Sequence, residues 1–210
     1  MTQPVANCPN CGAKIVFRWP GCVQTTCEYC RSILVRTDLD LKKVGQVADL
    51  PPDSSPIQLN TEGAYRNKAF VVAGRILYEY GQGGWNEWHL VMNDGTSAWL
   101  SDAQNEFALS VVAKAPNLPA AGQVHVGEQF SWNNQSYTVS VITPARYRGV
   151  EGELPFQYWD KTEVTFVDLR SETTKFATLD YSDPEATLYL GEFVDFDGLK
   201  LKNLRNFEGW

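Results

Sequence analysis

The sequence predicts a mainly β chain: a small ribbon built on cysteines, then two small duplicated β-barrels of SH3-like or a related type, with a short helix at the C-terminus. Three observations predict it. All five cysteines fall between Cys8 and Cys30. Beyond residue 58 helical periodicity is scarce, and short apolar or alternating runs are separated by Asn, Asp and Gly, as strands separated by turns require. A long strand, a hairpin and a closing strand also recur in the same order, with KAFVVAGRI from Lys68 and QSYTVSVIT from Gln135 in matching places.

A chain of 210 residues with 43% hydrophobic content can bury one large core or two small ones. No apolar run approaches the roughly 20 residues that span a bilayer, so an integral membrane protein is not expected. The start, MTQPVANCPNC, lacks a basic n-region and an apolar h-region, which makes the cytoplasm the expected compartment. A net charge of -7 opposes attraction to phosphate backbones, so no direct contact with nucleic acid is expected. Residues 1–37 nonetheless hold Lys14, Arg18, Arg31 and Arg36 against Glu28 alone, a basic head on an acidic body.

Residues 1–37 form the ribbon. Cys8-x2-Cys11 and Cys27-x2-Cys30 are separated by fifteen residues, a spacing at which two CxxC turns converge on one tetrahedral ion, expected to be zinc. Four thiolates leave no position for water, so such a site is structural and folds its module. Gly12 supplies the positive φ needed after the first turn, whereas Arg31 stands where the second would favour glycine. A rubredoxin-like iron site has the same ligands. A redox dithiol would sit in a βαβ unit, which is missing, and disulfides would need an oxidising compartment. Cys22 remains, read as a free thiol on the hairpin tip.

Residues 38–58 contain Pro51, Pro52 and Pro56 among Ser and Asp and read as a semi-extended linker. The first barrel unit is placed at 59–115, with strands over 69–80, 87–93, 96–102 and 107–113 and an Asn93-Asp94-Gly95 turn. The second, 116–210, has strands over 129–132, 135–142, 163–169, 175–181 and 187–194, with turns at Asn133-Asn134 and at 171–174. The tail from Asp195 is expected to end in the short helix, capped by Asp197.

In GGWNEWHL, from Gly83 to Leu90, a strand starting near Glu87 puts Trp88, Leu90 and Met92 on the core face and Glu87, His89 and Val91 on the other, as a surface pair of Glu87 with His89. Trp85 and Asn86 are assigned to the glycine-rich turn. That turn lacks the Lys-Ser/Thr and the following helix of a phosphate loop. With only His89 and His125 in the chain, a histidine metal centre or a Ser-His-Asp relay has little material, and no catalytic residue is assigned. Tyr80, Trp85, Glu87 and His89 are instead the partner-binding candidates, because aromatic rims grip extended peptides.

AGRILYEYGQGGWNEWHLVMNDGTSAWLSDAQNEF and FVDLRSETTKFATLDYSDPEATLYLGEFVDFDGLKL resemble the bacterial family known as domain of unknown function 4178, over about residues 55–200. The family has no assigned activity, so the resemblance carries over no catalytic residue. Zinc-ribbon cysteines precede the domain in many members. Family genes occur near those for membrane-stress proteins of the phage-shock type, small membrane proteins and polyamine-synthesis enzymes. The resulting expectation is a non-enzymatic bacterial adaptor that binds a protein partner in a membrane-stress or polyamine-linked system, peripheral to the inner membrane through that partner. The alternative is an enzyme or small-molecule binder, a polyamine binder for example, with its pocket between the two barrels.

Overall fold

A computed structural model describes residues 4–37, 40–47, 50, 54–158 and 163–206. The cysteine segment begins with β1 (Val5–Asn7) paired to β2 (Lys14–Val16). A second antiparallel sheet follows, made of β3 (Gln24–Thr26), β4 (Ser32–Thr37) and β5 (Asp40–Gln46). Its core of Ile15, Phe17, Leu34 and Leu41 is buried together with Cys8, Cys22 and Cys27. β5 lies inside the stretch expected to be linker, because Leu41 is drawn into this core and zips the strand onto β4. The prolines at 51 and 52 fall outside the described residues, as do 38, 39, 48, 49 and 53.

Ten more strands build the body: β6 (Glu62–Tyr65), β7 (Lys68–Tyr80), β8 (Gly83–Met92), β9 (Ser97–Ala103), β10 (Glu106–Ala113), β11 (Gln129–Trp132), β12 (Gln135–Leu154), β13 (Glu163–Arg170), β14 (Lys175–Asp180) and β15 (Thr187–Val194). Their turns follow from local chemistry. Arg66-Asn67, Gln104-Asn105 and Asn133-Asn134 are consecutive positive-φ pairs, the conformation that closes a two-residue hairpin. Gly95, also at positive φ, ends the β8–β9 turn, where Asp94 accepts from the Thr96 amide.

The two duplicated barrels are not what these strands make. β7 to β10 and β12 to β15 are each a four-stranded meander, preceded by the short hairpin partners β6 and β11. The expected recurrence of order is thus present, but neither meander closes on itself. Instead β10 pairs with β15 and β7 with β12. The path β7–β8–β9–β10–β15–β14–β13–β12 returns to β7 as one eight-stranded antiparallel barrel that crosses the expected boundary at 115/116. Four strands leave two open edges, and eight give an interior just wide enough for side chains or one small ligand.

The strands curl at irregularities: β7 between Val72 and Gly74, β12 between Val139 and Val141 and again between Tyr147 and Gly149. Much of the hydrophobic packing lies outside the barrel wall. Trp88, Leu90 and Met92 do face a core, as expected, shared with Ile57, Phe70 and Leu199. Tyr137, Val139, Leu169 and Leu179 face another, covered by Val124. Among the described residues the tail forms a single 3-10 turn, Asp197–Leu199, in place of the expected helix. Phe196 occupies its N-cap without a side-chain bond, and Lys200 ends it in the left-handed region while Leu199 anchors the core.

A Cβ on Gly74 would lie 2.2 Å from the backbone oxygen of Glu153, a contact only main-chain movement relieves. Gly74→Ala should therefore lower stability by about 2–4 kcal/mol in urea unfolding, whereas Gly81→Ala, where nothing lies within 4 Å, should change it by less than about 1 kcal/mol.

Candidate functional site

Two places concentrate chemistry: the cysteine cluster and the inside of the barrel. In the cluster, Cys8 Sγ lies 3.7 Å from Cys30 Sγ, and Cys11 Sγ lies 3.7 Å from Cys27 Sγ. All four sulfurs are within 4.8 Å of one another. A tetrahedron of thiolates at about 2.3 Å from an ion puts sulfurs roughly 3.8 Å apart, whereas a disulfide needs about 2.05 Å. The four cysteines could therefore hold a metal ion. Two matched turns position them. Gly12 N donates to Cys8 O and Arg31 N to Cys27 O, at 2.8 and 2.9 Å. Gly12 has the expected positive φ, and Arg31 adopts it too, at 55°, without being glycine. The hydroxyl of Ser32, 3.2 Å from Cys30 Sγ, is the main cause that lowers that thiol to about 5.

Cys22 is a free thiol, as expected, in the loop between β2 and β3. It is buried, its Sγ donates to Gln24 O at 3.2 Å, and burial pushes its pKa up to about 12.

The barrel encloses a cavity of about 370 Å³. Its wall is aromatic, with Tyr78, Trp85, Trp99, Phe166, Phe176 and Tyr189, and among these stand the carboxyl groups of Glu87, Asp168 and Asp180. Glu87 accepts from Trp85 Nε1 at 2.9 Å and from Ser101 Oγ at 2.8 Å. Asp168 accepts from Thr178 Oγ1 at 2.6 Å and Asp180 from the Ser182 amide at 2.7 Å. Burial raises the pKa of Glu87 to about 7, although Ser101 and Trp85 oppose it, and the charges of Asp168 and Asp180 raise it further. Burial likewise raises Asp168. The one basic side chain among the described lining residues is Arg170. It is exposed at the end of β13, 3.2 Å from Glu106, with its guanidinium 3.8 Å from the centre of the Phe193 ring. Exposed Gln82, Glu106 and Arg170 mark the end of the barrel at which the cavity meets solvent.

Of the residues singled out in the sequence, Trp85 and Glu87 therefore lie inside the barrel, and β8 begins at Gly83, so Trp85 belongs to the strand and not to the turn. Tyr80 is half-buried at the open end, edge-on to Trp85 at 5.7 Å. His89 is not a surface neighbour of Glu87. It is 0% exposed, with Nδ1 2.8 Å from Glu153 O and Nε2 2.8 Å from Ser97 Oγ. A carbonyl only accepts, so Nδ1 carries the proton. Burial lowers the ring's pKa to about 4, which keeps it neutral. The face of β8 expected to meet solvent meets the barrel interior instead, which accounts for the burial of both Glu87 and His89. Sequence reading missed Asp168, Asp180 and Tyr189. Their only signal is a polar or amphipathic residue at every second place in FVDL, TLD and LYL, which an open sheet would turn to water.

Residues 58–196 match the family described as Domain of unknown function (DUF4178). The chain belongs to that family. No curated protein and no solved structure matches it. No helix among the described residues is long and apolar enough to cross a membrane.

The raised carboxyl of Glu87 fixes a pH dependence. Its ordinary value is about 4.3, so between there and about 7 the folded state holds the more protons and stability falls as pH rises. Glu87→Gln should remove this component. The melting temperature of the variant relative to wild type should rise by at least about 2 °C between pH 5 and pH 8 in thermal unfolding.

Proposed function

We propose that this member of the DUF4178 family is a small-molecule binder whose barrel interior takes an organic cation, a polyamine being one such ligand. The observation that carries the proposal is three carboxyl groups, Glu87, Asp168 and Asp180, facing one aromatic-walled cavity in which the single basic residue among the described lining residues stands at the rim and is paired with Glu106. Aromatic faces and carboxylates are the two surfaces that attract ammonium groups, and both act more strongly away from water. The cysteine module is a structural zinc ribbon, held by Cys8, Cys11, Cys27 and Cys30. Its closed thiolate set leaves no position for a reacting water, so the metal supplies folding energy and no chemistry.

A second reading, the bacterial adaptor at a membrane-associated or cytoplasmic protein partner, rests on the cysteine module. Val5 lies opposite Val16 in the β1–β2 ladder, 51% and 40% exposed, and Tyr29 between two ligand cysteines is 79% exposed. A partner held by the full chain and lost on Val5→Ser with Val16→Ser supports it, and equal capture by both counts against it.

Two measurements test the main reading. Elemental analysis after purification without chelators should find about one zinc per chain, and less than about a tenth removes the ribbon assignment. Calorimetric titration with spermidine at about 150 mM salt should show saturable binding that Glu87→Gln or Asp168→Asn each weakens at least tenfold, about 1.4 kcal/mol. Equal affinity in both variants, or displacement of spermidine by a linear dicarboxylate, overturns the cation site.

A further inference from the structure

The cysteine module and the barrel meet at one buried carboxylate. Glu153, 1% exposed near the end of β12, accepts from the backbone amides of Arg18 at 2.8 Å and Trp19 at 3.2 Å. Both belong to the loop between β2 and β3, which runs from the Cys8/Cys11 ligand pair to the Cys27/Cys30 pair. The loop is shaped for this contact: a Cβ on Gly21 would lie 2.4 Å from the Trp19 ring. On the barrel side, Gly152 at φ +67 and Gly74 beneath the Glu153 carbonyl let β12 approach β7 closely.

From this point contacts run to the barrel interior. The Trp19 ring lies 5.3 Å from His89, and its Nε1 donates to Gly95 O at 3.1 Å in the β8–β9 turn. His89 Nδ1 donates to the carbonyl of the same Glu153, and its ring stands 5.2 Å from Trp99. Trp99 in turn stacks on Phe156 at 5.6 Å, and both line the cavity.

We infer that metal occupancy of the four cysteines controls the wall of the cavity on this side, through a latch made by Trp19, Glu153 and His89. With the metal bound, the loop is fixed at both ends and its two amides satisfy Glu153. Without it the loop loses its anchors and carries away both amides and the Arg18 guanidinium, 3.8 Å from the same carboxylate, and a buried anion stripped of these partners moves toward water, because leaving it unpaired costs several kcal/mol. That movement withdraws the carbonyl that orients His89 and releases the Trp99–Phe156 pair. Trp19 and His89 are positioning residues here and contact no ligand. The latch is independent of what the cavity binds.

The test is hydrogen exchange on the full chain, metal-loaded and after removal of the metal by a chelator under reducing conditions. Metal removal should speed exchange at least tenfold over 17–23, 97–103 and 150–158, while 163–180 keeps its protection. Trp19→Ala, which leaves all four ligands and keeps its metal but removes the ring that holds the loop and its two amides against His89 and Gly95, should reproduce the change over 97–103 and 150–158. Changes confined to residues 4–37 on metal removal, or a Trp19→Ala chain that exchanges like wild type over 97–103 and 150–158, overturn the latch. If metal removal unfolds the whole chain, the Trp19→Ala comparison decides alone.

Discussion

The structure depends on β12 bending and pairing with four different strands along its length. In succession it meets β11, β13, β7 and β3. The first pairing covers an outer core, the next two close the barrel, and the last ties the cysteine module to it. A straight twenty-residue strand would diverge from such a path. The register shifts near Ser140 and Arg148, and the left-handed Gly152, let it turn. Closure removes the open edges that either meander would expose alone.

Closure by eight strands decides where polarity goes. The apolar faces of β8, β13 and β14 pack outward against covering segments, so alternate residues point into the barrel, among them Glu87, Asp168 and Asp180. Three anions in one cavity are expensive, several kcal/mol each after relaxation, against a total stability of about 5–15 kcal/mol for a domain. The chain offsets this with Ser101, Trp85 and Thr178 as donors and by keeping Glu87 partly protonated near neutral pH. A cation entering the cavity would do the same more completely.

Local features were legible in the sequence and closure was not. The CxxC pairs, the left-handed Gly12, the paired-Asn turn and the core face of Trp88, Leu90 and Met92 are set by near neighbours, and the sequence displays them. Most strand positions in the body followed from alternation, but β6 was not expected, β8 starts at Gly83 and not near Glu87, and β12, expected to stop at Ile142, runs to Leu154, because ARYRGVEGEL carries charges that read as a loop until β7 is known to lie alongside. The recurrence of KAFVVAGRI and QSYTVSVIT was visible as well. Whether two four-stranded units close separately or together depends on contacts between β10 and β15, more than 70 positions apart. That misjudgement carried Glu87 and His89 to the surface and hid Asp168 and Asp180.

The most direct measurement is a carboxyl-carbon nuclear magnetic resonance titration of Glu87 in the metal-loaded chain, with and without saturating spermidine. A cation held inside the barrel predicts that Glu87 titrates near 7 in the free protein and at least about one unit lower in the complex. A Glu87 that titrates at the ordinary carboxyl value in both, or that stays near 7 while spermidine is bound, contradicts it.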